Sequence, residues 1–125
     1  MAKLFFFLLF ISFAAHAQMD VSKVKPANVD TIFTTYYAKK FEGRKTTSGQ
    51  KYRGAKFTAA HRTLPFGTMV LVKNLRTGKT VEVRVNDRGP FSKKFSLDLS
   101  LAAAKAIGIY RLGYARVEIS YILPN

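Results

Sequence analysis

The segment Asn86-Asp87-Arg88-Gly89-Pro90-Phe91 sets an acid on a Gly-Pro-punctuated loop at the end of a strand-like run, with His61 upstream of it. Loops held by a rigid scaffold are where binding and catalytic groups gather. The chain offers only seven acids. Asp20 and Asp30 fall in a polar lead-in, and Glu82 and Glu118 lie on the polar face of alternating segments, where solvated charge is expected. Glu42, Asp87 and Asp98 remain. Asp87 reads either as a proton-transfer group or as a turn cap or salt-bridge partner. Asp98, in Leu97-Asp98-Leu99-Ser100, is expected to bond a helix N-terminus or a neighbouring loop.

The other chemistries are restricted by composition. There is no cysteine, so a His/Cys metal cluster is excluded. A zinc site would need His61 plus two or three carboxylates, and no metal or cofactor is expected. A Ser-His-Asp triad drawn through His61 and Asp87 lacks a Gly-x-Ser-x-Gly elbow.

The elements that must position these groups are short strands. Ile32 to Ala38 is rich in Thr, Tyr and Phe, and Phe57 to Ala60 can form a brief strand. Phe41 to Gly54 is polar and glycine-punctuated, so it reads as a long loop. Thr68 to Asn74 is apolar on both faces at Met69-Val70-Leu71-Val72, which predicts a central strand. Arg76-Thr77-Gly78 closes a hairpin into Thr80–Val85, where Val81, Val83 and Val85 alternate with Glu82 and Arg84. Ser100 caps a helix over Leu101 to Ile107, with Gly108 after it. Arg116 to Ile122 alternates again. Short strands around one helix point to a small β-barrel.

The N-terminus reads as an export signal. Lys3 precedes an almost wholly apolar Leu4–Phe13, and Ala15-His16-Ala17 supplies a cleavage site, so residues 1–17 are expected to leave as a signal peptide. The apolar run is shorter than the ~20 residues that span a bilayer, so no integral membrane segment is expected after cleavage. Residues 18–30 read as a flexible lead-in and 31–125 as one folded domain, expected to be a monomer. Without cysteine the fold forms no disulfides, and no lipoprotein anchor is expected on this chain. The expected location is periplasmic or secreted. The net charge of +14 attracts polyanions. Export makes nucleic acid an unexpected partner and favours a carboxylate-bearing cell wall or an anionic membrane surface.

Taken in order, these segments resemble the RlpA-like family of exported double-psi β-barrel proteins. The resemblance rests on Tyr37, Gly43-Arg44-Lys45-Thr46, Ser48-Gly49, Thr58-Ala59-Ala60-His61 and Leu64-Pro65-Phe66-Gly67-Thr68. It continues through Val83-Arg84-Val85-Asn86-Asp87-Arg88-Gly89-Pro90-Phe91 and Asp98-Leu99-Ser100. It implies a mainly β fold, a six-stranded double-psi β-barrel with one or two short helices. It further implies an endolytic lytic transglycosylase acting on peptidoglycan glycan strands stripped of stem peptides, cutting MurNAc–GlcNAc bonds to 1,6-anhydroMurNAc ends. Asp87 matches the family's catalytic acid and His61 its motif histidine, the latter expected to orient substrate or Asp87. Gln50, Arg53, Tyr37, Arg88, Phe91 and Asp98 are the expected substrate-binding positions.

The sequence departs from the family at two of these positions, since Gln50 and Arg53 stand where the family carries Glu and Asp. Arg53 is expected to lower the pKa of Asp87, which disfavours a general acid. The alternative is a non-catalytic, expansin-like wall-binding module with Tyr36, Tyr37, Phe66 and Phe91 as sugar-stacking platforms.

Overall fold

A computed structural model describes residues 27–124. The expected signal peptide and most of the lead-in lie outside the described residues. Six strands, one short helix and a 3₁₀ turn make up the domain. They are β1 (Asn28–Tyr36), the turn Lys39–Phe41, β2 (Thr58–His61), β3 (Met69–Asn74), β4 (Thr80–Asp87), β5 (Leu97–Leu99), α1 (Leu101–Ala106) and β6 (Ala115–Tyr121). The sheet closes in the order β1-β5-β2-β4-β3-β6. Two pairings are parallel, β1 with β5 and β2 with β4, and the rest are antiparallel. This is the six-stranded double-psi barrel that the resemblance implies.

Alternation decides which side chains fill the barrel. Val70 and Val72 of β3, Val83 and Val85 of β4, Leu97 and Leu99 of β5, and Val117 of β6 are fully buried together. Met69 and Leu71 are exposed, so β3 has one core face rather than the two its apolar run predicts. Their outer faces line a groove with Phe66 and Tyr121. The helix packs Ala103 and Ala104 into the same core, followed by Ile107 and Ile109. Ser100 caps it as expected, accepting from Ala103 N at 3.3 Å.

Two elements differ from the sequence reading. β1 starts at Asn28 rather than Ile32, because Asn28, Val29 and Asp30 pair with Tyr121, Ser120 and Ile119 of β6. Partner strands, not local propensity, set that boundary. β5 was not visible in the sequence, since three residues carry too little periodicity. It exists because Leu97 and Leu99 enter the core between β1 and β2.

A buried amide joins the β3–β4 hairpin to the helix end. Asn74 Nδ2 donates to Ile107 O at 2.8 Å, and Asn74 Oδ1 accepts from Arg76 N at 3.0 Å. Asn74→Ala should lower stability by about 2 kcal/mol, because it leaves the buried Ile107 carbonyl only the long 3.5 Å contact from the Thr77 hydroxyl and removes the acceptor of Arg76 N. Urea unfolding measures this, and an unchanged midpoint would deny the bond its structural weight.

Candidate active site

The site begins with a register change. Along β2 and β4, Ala59 pairs with Val85 but Ala60 pairs with Asp87, so Asn86 is an inserted residue. Such a bulge re-aims the side chains that follow it. Without it, Asp87 would share the inward parity of Val83 and Val85. With it, Asp87 turns to the outer face beside Ala60. On its other side Ala60 pairs with Asp98 of β5. Two acids therefore flank one alanine in a single row, their backbones two strand spacings apart, ~10 Å.

Asp87 is held by three donors from three parts of the chain. Thr47 N donates to Oδ1 at 2.8 Å and Arg88 N to the same oxygen at 2.9 Å, while the Tyr37 hydroxyl donates to Oδ2. Burial pushes this carboxyl up, but those bonds, with the Thr47 hydroxyl, outweigh it and leave Asp87 below the usual carboxylate range. It stands ionised. Arg53 is not a cause of this. Its guanidinium lies 3.6 Å from Glu42, so the depression expected from Arg53 comes instead from hydrogen bonds.

The loop between β1 and β2 brings Thr47 to Asp87. Thr46 N donates to Gln50 O at 2.8 Å and Thr46 Oγ1 to the same carbonyl at 2.6 Å, closing a tight turn. Gly49 in that turn has φ +95°, a conformation that favours glycine. The loop is anchored by Tyr52, which stacks on Tyr37 at 4.2 Å and accepts from Leu101 N at 3.1 Å. A Cβ at Gly54 would meet Glu42 Oε1 and the Tyr52 hydroxyl at 3.2 Å, so a side chain there requires those two to shift by a few tenths of an ångström. Tyr37, Tyr52 and Ala60 form a second small core, with Phe41 packed on it.

Asp98 behaves differently from the sequence expectation. Ser100, not Asp98, serves the helix N-terminus, and Asp98 Oδ1 is buried without a hydrogen-bond partner. Burial and, secondly, the negative charge of Asp87 push its carboxyl up to about 7. The row thus holds one carboxylate fixed in its ionised form and one carboxyl that keeps its proton to near neutrality. Environments that drive two acids apart in this way separate acid and base roles.

His61 closes β2, one residue beyond Ala60. Its Nδ1 accepts from Thr63 N and Leu64 N, each at 3.1 Å. Burial, then Arg62 and Arg88, lower its pKa, so the ring is neutral with its proton on Nε2. Among the described residues it makes no hydrogen bond to Asp87. It orders the following turn and offers an N–H donor. Arg88 is engaged in structure, donating to His61 O at 3.2 Å and Leu64 O at 2.7 Å while its guanidinium covers Phe66 at 4.0 Å.

The expected aromatic platforms divide. Tyr37 is 8% exposed, so it serves Asp87 through its hydroxyl and offers no open ring. Tyr36 stacks on Tyr110 and donates to Tyr110 O at 2.7 Å. Phe91 is 84% exposed and keeps a free face. Gln50 Oε1 accepts from Asn86 Nδ2 at 3.1 Å, which ties the loop to the bulge residue. Thr47 was not singled out from sequence. Its signal was the Thr46-x-Ser48-Gly49 turn, which reveals a turn but not which N–H it presents. Among the described residues no group of three His, Cys, Asp or Glu side chains can hold a metal ion, and no helix is long and apolar enough to cross a membrane.

Comparison with known proteins gives a consistent picture. A family model described as lytic transglycolase matches residues 29–119. Over 93 residues the chain is 50% identical to the endolytic peptidoglycan transglycosylase RlpA of Haemophilus influenzae, covering 73% of this chain and 32% of that protein. The corresponding protein of Pasteurella multocida is 52% identical over 88 residues, 70% of this chain and 30% of the relative. The chain spans about a third of the length of these relatives. Among solved structures, Streptomyces papain inhibitor superposes with a TM-score of 0.62 at 22% identity, covering 76% of this chain and 94% of its own. Apo expansin from Clavibacter michiganensis gives 0.62 at 19%, covering 78% and 52%. At such identities the likeness speaks for the fold alone.

The unpartnered Asp98 has a measurable signature. Below pH ~4 it is protonated folded or unfolded. As pH rises, the unfolded chain ionises first and the folded state resists until about 7, so Asp98 costs stability across that window. Asp98→Asn removes the cost, and its stability relative to wild type should grow by on the order of 2–4 kcal/mol between pH 4 and 8. Thermal unfolding at several pH values checks this. Parallel curves would mean that Asp98 ionises freely in the folded protein.

Proposed function

The chain belongs to the lytic transglycolase family, and from that membership we propose that it is an exported peptidoglycan lytic transglycosylase whose chemistry is carried by Asp87 and Asp98. The observation that carries this reading is the row Asp87–Ala60–Asp98, with one acid held ionised and the other held protonated. Asp98 donates its proton to the glycosidic oxygen as the bond to C1 of the muramic acid breaks. The Asp87 carboxylate stabilises the positive charge that develops at C1. The C6 hydroxyl of the same sugar then attacks C1 and gives its proton to the Asp98 carboxylate. The products are a 1,6-anhydro end and a new free hydroxyl, no water is consumed, and Asp98 is restored. His61 supplies a neutral N–H donor to a sugar oxygen, and the open face of Phe91 offers a stacking surface.

This assignment moves the proton donor from Asp87, where the family resemblance sets it, to Asp98. Three hydrogen bonds make Asp87 a poor acid near neutrality, whereas the lone buried oxygen of Asp98 is stabilised by keeping a proton nearby. Acid chemistry at this row needs neither Gln50 nor Arg53. A non-catalytic wall-binding module of expansin type is the second reading. It is favoured by the exchange of two family acids for Gln50 and Arg53.

One experiment separates the two readings. Amidase-stripped sacculi are incubated with the protein and anhydro-muramyl ends are counted by mass spectrometry. Asp98→Asn and Asp87→Asn should each lower the yield by at least about 10²-fold with binding retained. The pH profile of the wild type should fall as pH rises through about 7, where Asp98 loses its proton. On the acid side it should fall only below the ordinary carboxylate range, where Asp87 gains one. Binding without anhydro ends from the wild type would establish the non-catalytic reading. The export signal is tested by N-terminal sequencing of the protein from the cell envelope, with Gln18 expected first.

A further inference from the structure

A second concavity adjoins the carboxylate row and has the opposite charge. It is a cavity of about 590 Å³ walled by Lys51, Arg53, Lys56 and Arg84, with Phe57 at its side and Gln50 and Asn86 where it meets the bulge. Its construction follows from simple alternation. Tyr52 is buried in the small aromatic core, so its neighbours Lys51 and Arg53 both turn outward. A turn in which Lys56 N donates to Arg53 O at 3.0 Å returns the chain to β2. Thr58 then pairs with Arg84 of β4, on the same outer face as Ala60 and two residues before it. The cavity therefore lies ~7 Å along the strand from the acid row.

Four cations around one cavity repel each other unless an anion joins them. Among the described residues, Arg53 is the one member with an ion-pair partner, the half-exposed Glu42 at 3.6 Å. Glu82 stands two residues from Arg84 but lines the groove of Met69 and Leu71 instead. Among the described residues, Lys51, Lys56 and Arg84 have no carboxylate within salt-bridge distance. Phe57 is 51% exposed and has no cation over its ring among the described residues, so it presents an open apolar face. At the floor, Thr58 Oγ1 is buried without a hydrogen-bond partner. A ring that can stack on a sugar, beside cations that lack an anion, fits a sugar bearing a negative substituent.

We propose that this cavity is a subsite for a carboxylate carried by the glycan, bound by Lys51, Lys56, Arg84 and Arg53 while Phe57 packs on the sugar. The inference rests on the wall-glycan reading above and names the substrate feature that reading leaves open. Two parts of the polymer can supply the group, the lactyl carboxylate of a muramic acid freed of its peptide and a carboxylate of the peptide itself. Placed next to the acid row, the subsite selects which sugar is set over Asp87 and Asp98.

The test measures binding, so it does not depend on turnover. Purified glycan strands are prepared in three forms, with peptides intact, stripped of peptides, and stripped with the lactyl carboxylates converted to neutral amides. Affinities of the wild type are compared at matched ionic strength. The stripped form should bind about tenfold more tightly than its amidated counterpart, the loss expected for charge-assisted bonds at one carboxylate. The variant Lys51→Ala, Lys56→Ala, Arg84→Ala should bind both equally, and Lys51→Ala, Lys56→Ala gives a second reading that keeps the sheet residue Arg84. Circular dichroism confirms that each is folded. Tighter binding of the stripped form than of the intact form assigns the lactyl group, and the reverse assigns the peptide. Equal wild-type affinity for all three forms would overturn the subsite while leaving the glycan reading intact. Failure to bind any of the three would overturn both.

Discussion

The arrangement depends on how the domain holds one ionised carboxylate. Asp87 receives N–H and O–H donors from the end of β1 through Tyr37, from the β1–β2 loop through Thr47 and from its own strand through Arg88. A partly buried charge is stabilised when its lone pairs are filled, and these three contacts fill them. They fix the loop over the barrel wall, and the loop in turn carries Gln50, Lys51 and Arg53 to their places. The Tyr37–Tyr52 stack and the Leu101 N bond to Tyr52 hold the same loop from behind. Truncating Asp87 would therefore loosen a surface as well as remove a charge, whereas Asn keeps an oxygen for the Thr47 and Arg88 N–H donors.

Asp98 is the counterpart of that arrangement. Its Oδ1 is buried, and no donor among the described residues takes water's place. A sequence selected only for stability would fill such a position with an apolar residue or give it a partner. An unsatisfied buried carboxyl beside a satisfied one is a local cost that the barrel's valine and leucine interior must offset. Costs of this kind gather where chemistry requires them.

The sequence revealed these features unevenly, and the reasons are physical. β4 and β6 were legible because each buries one face, so their alternation survives in Val83 and Val85 and in Val117 and Ile119. The helix was legible from its Ser100 cap. Met69 and Leu71 misled, since apolar residues on an outer face look like core when only the run is read. β5 was hidden because pairing made it a strand and three residues cannot announce that. Asp87 and His61 stood out by type and loop context. The bulge at Asn86 had no local signal, yet it decides that Asp87 faces outward. Asp98 was visible as a residue but not in its role, because the absence of a partner is a property of the folded neighbourhood. Arg53 was visible as a charge, but its contact with Glu42 and its distance from control of Asp87 were not.

Gln50 and Arg53, which stand where the family resemblance expects acids, take on a different meaning in this setting. Gln50 no longer titrates, but its amide locks the loop to Asn86. Arg53 joins Lys51, Lys56 and Arg84 around a cavity with no acid in its wall. Charge at the mouth of a site acts on approach and orientation, whereas charge within hydrogen-bond reach of a carboxyl acts on its proton. Arg53 contributes nothing to the shift of Asp87 or of Asp98, so it belongs to the first kind. The positive wall and the acid row are thereby separable parts of one outer face. A charge that, read along the chain, seems to act on Asp87 stands in three dimensions beside a neighbouring cavity and paired with Glu42.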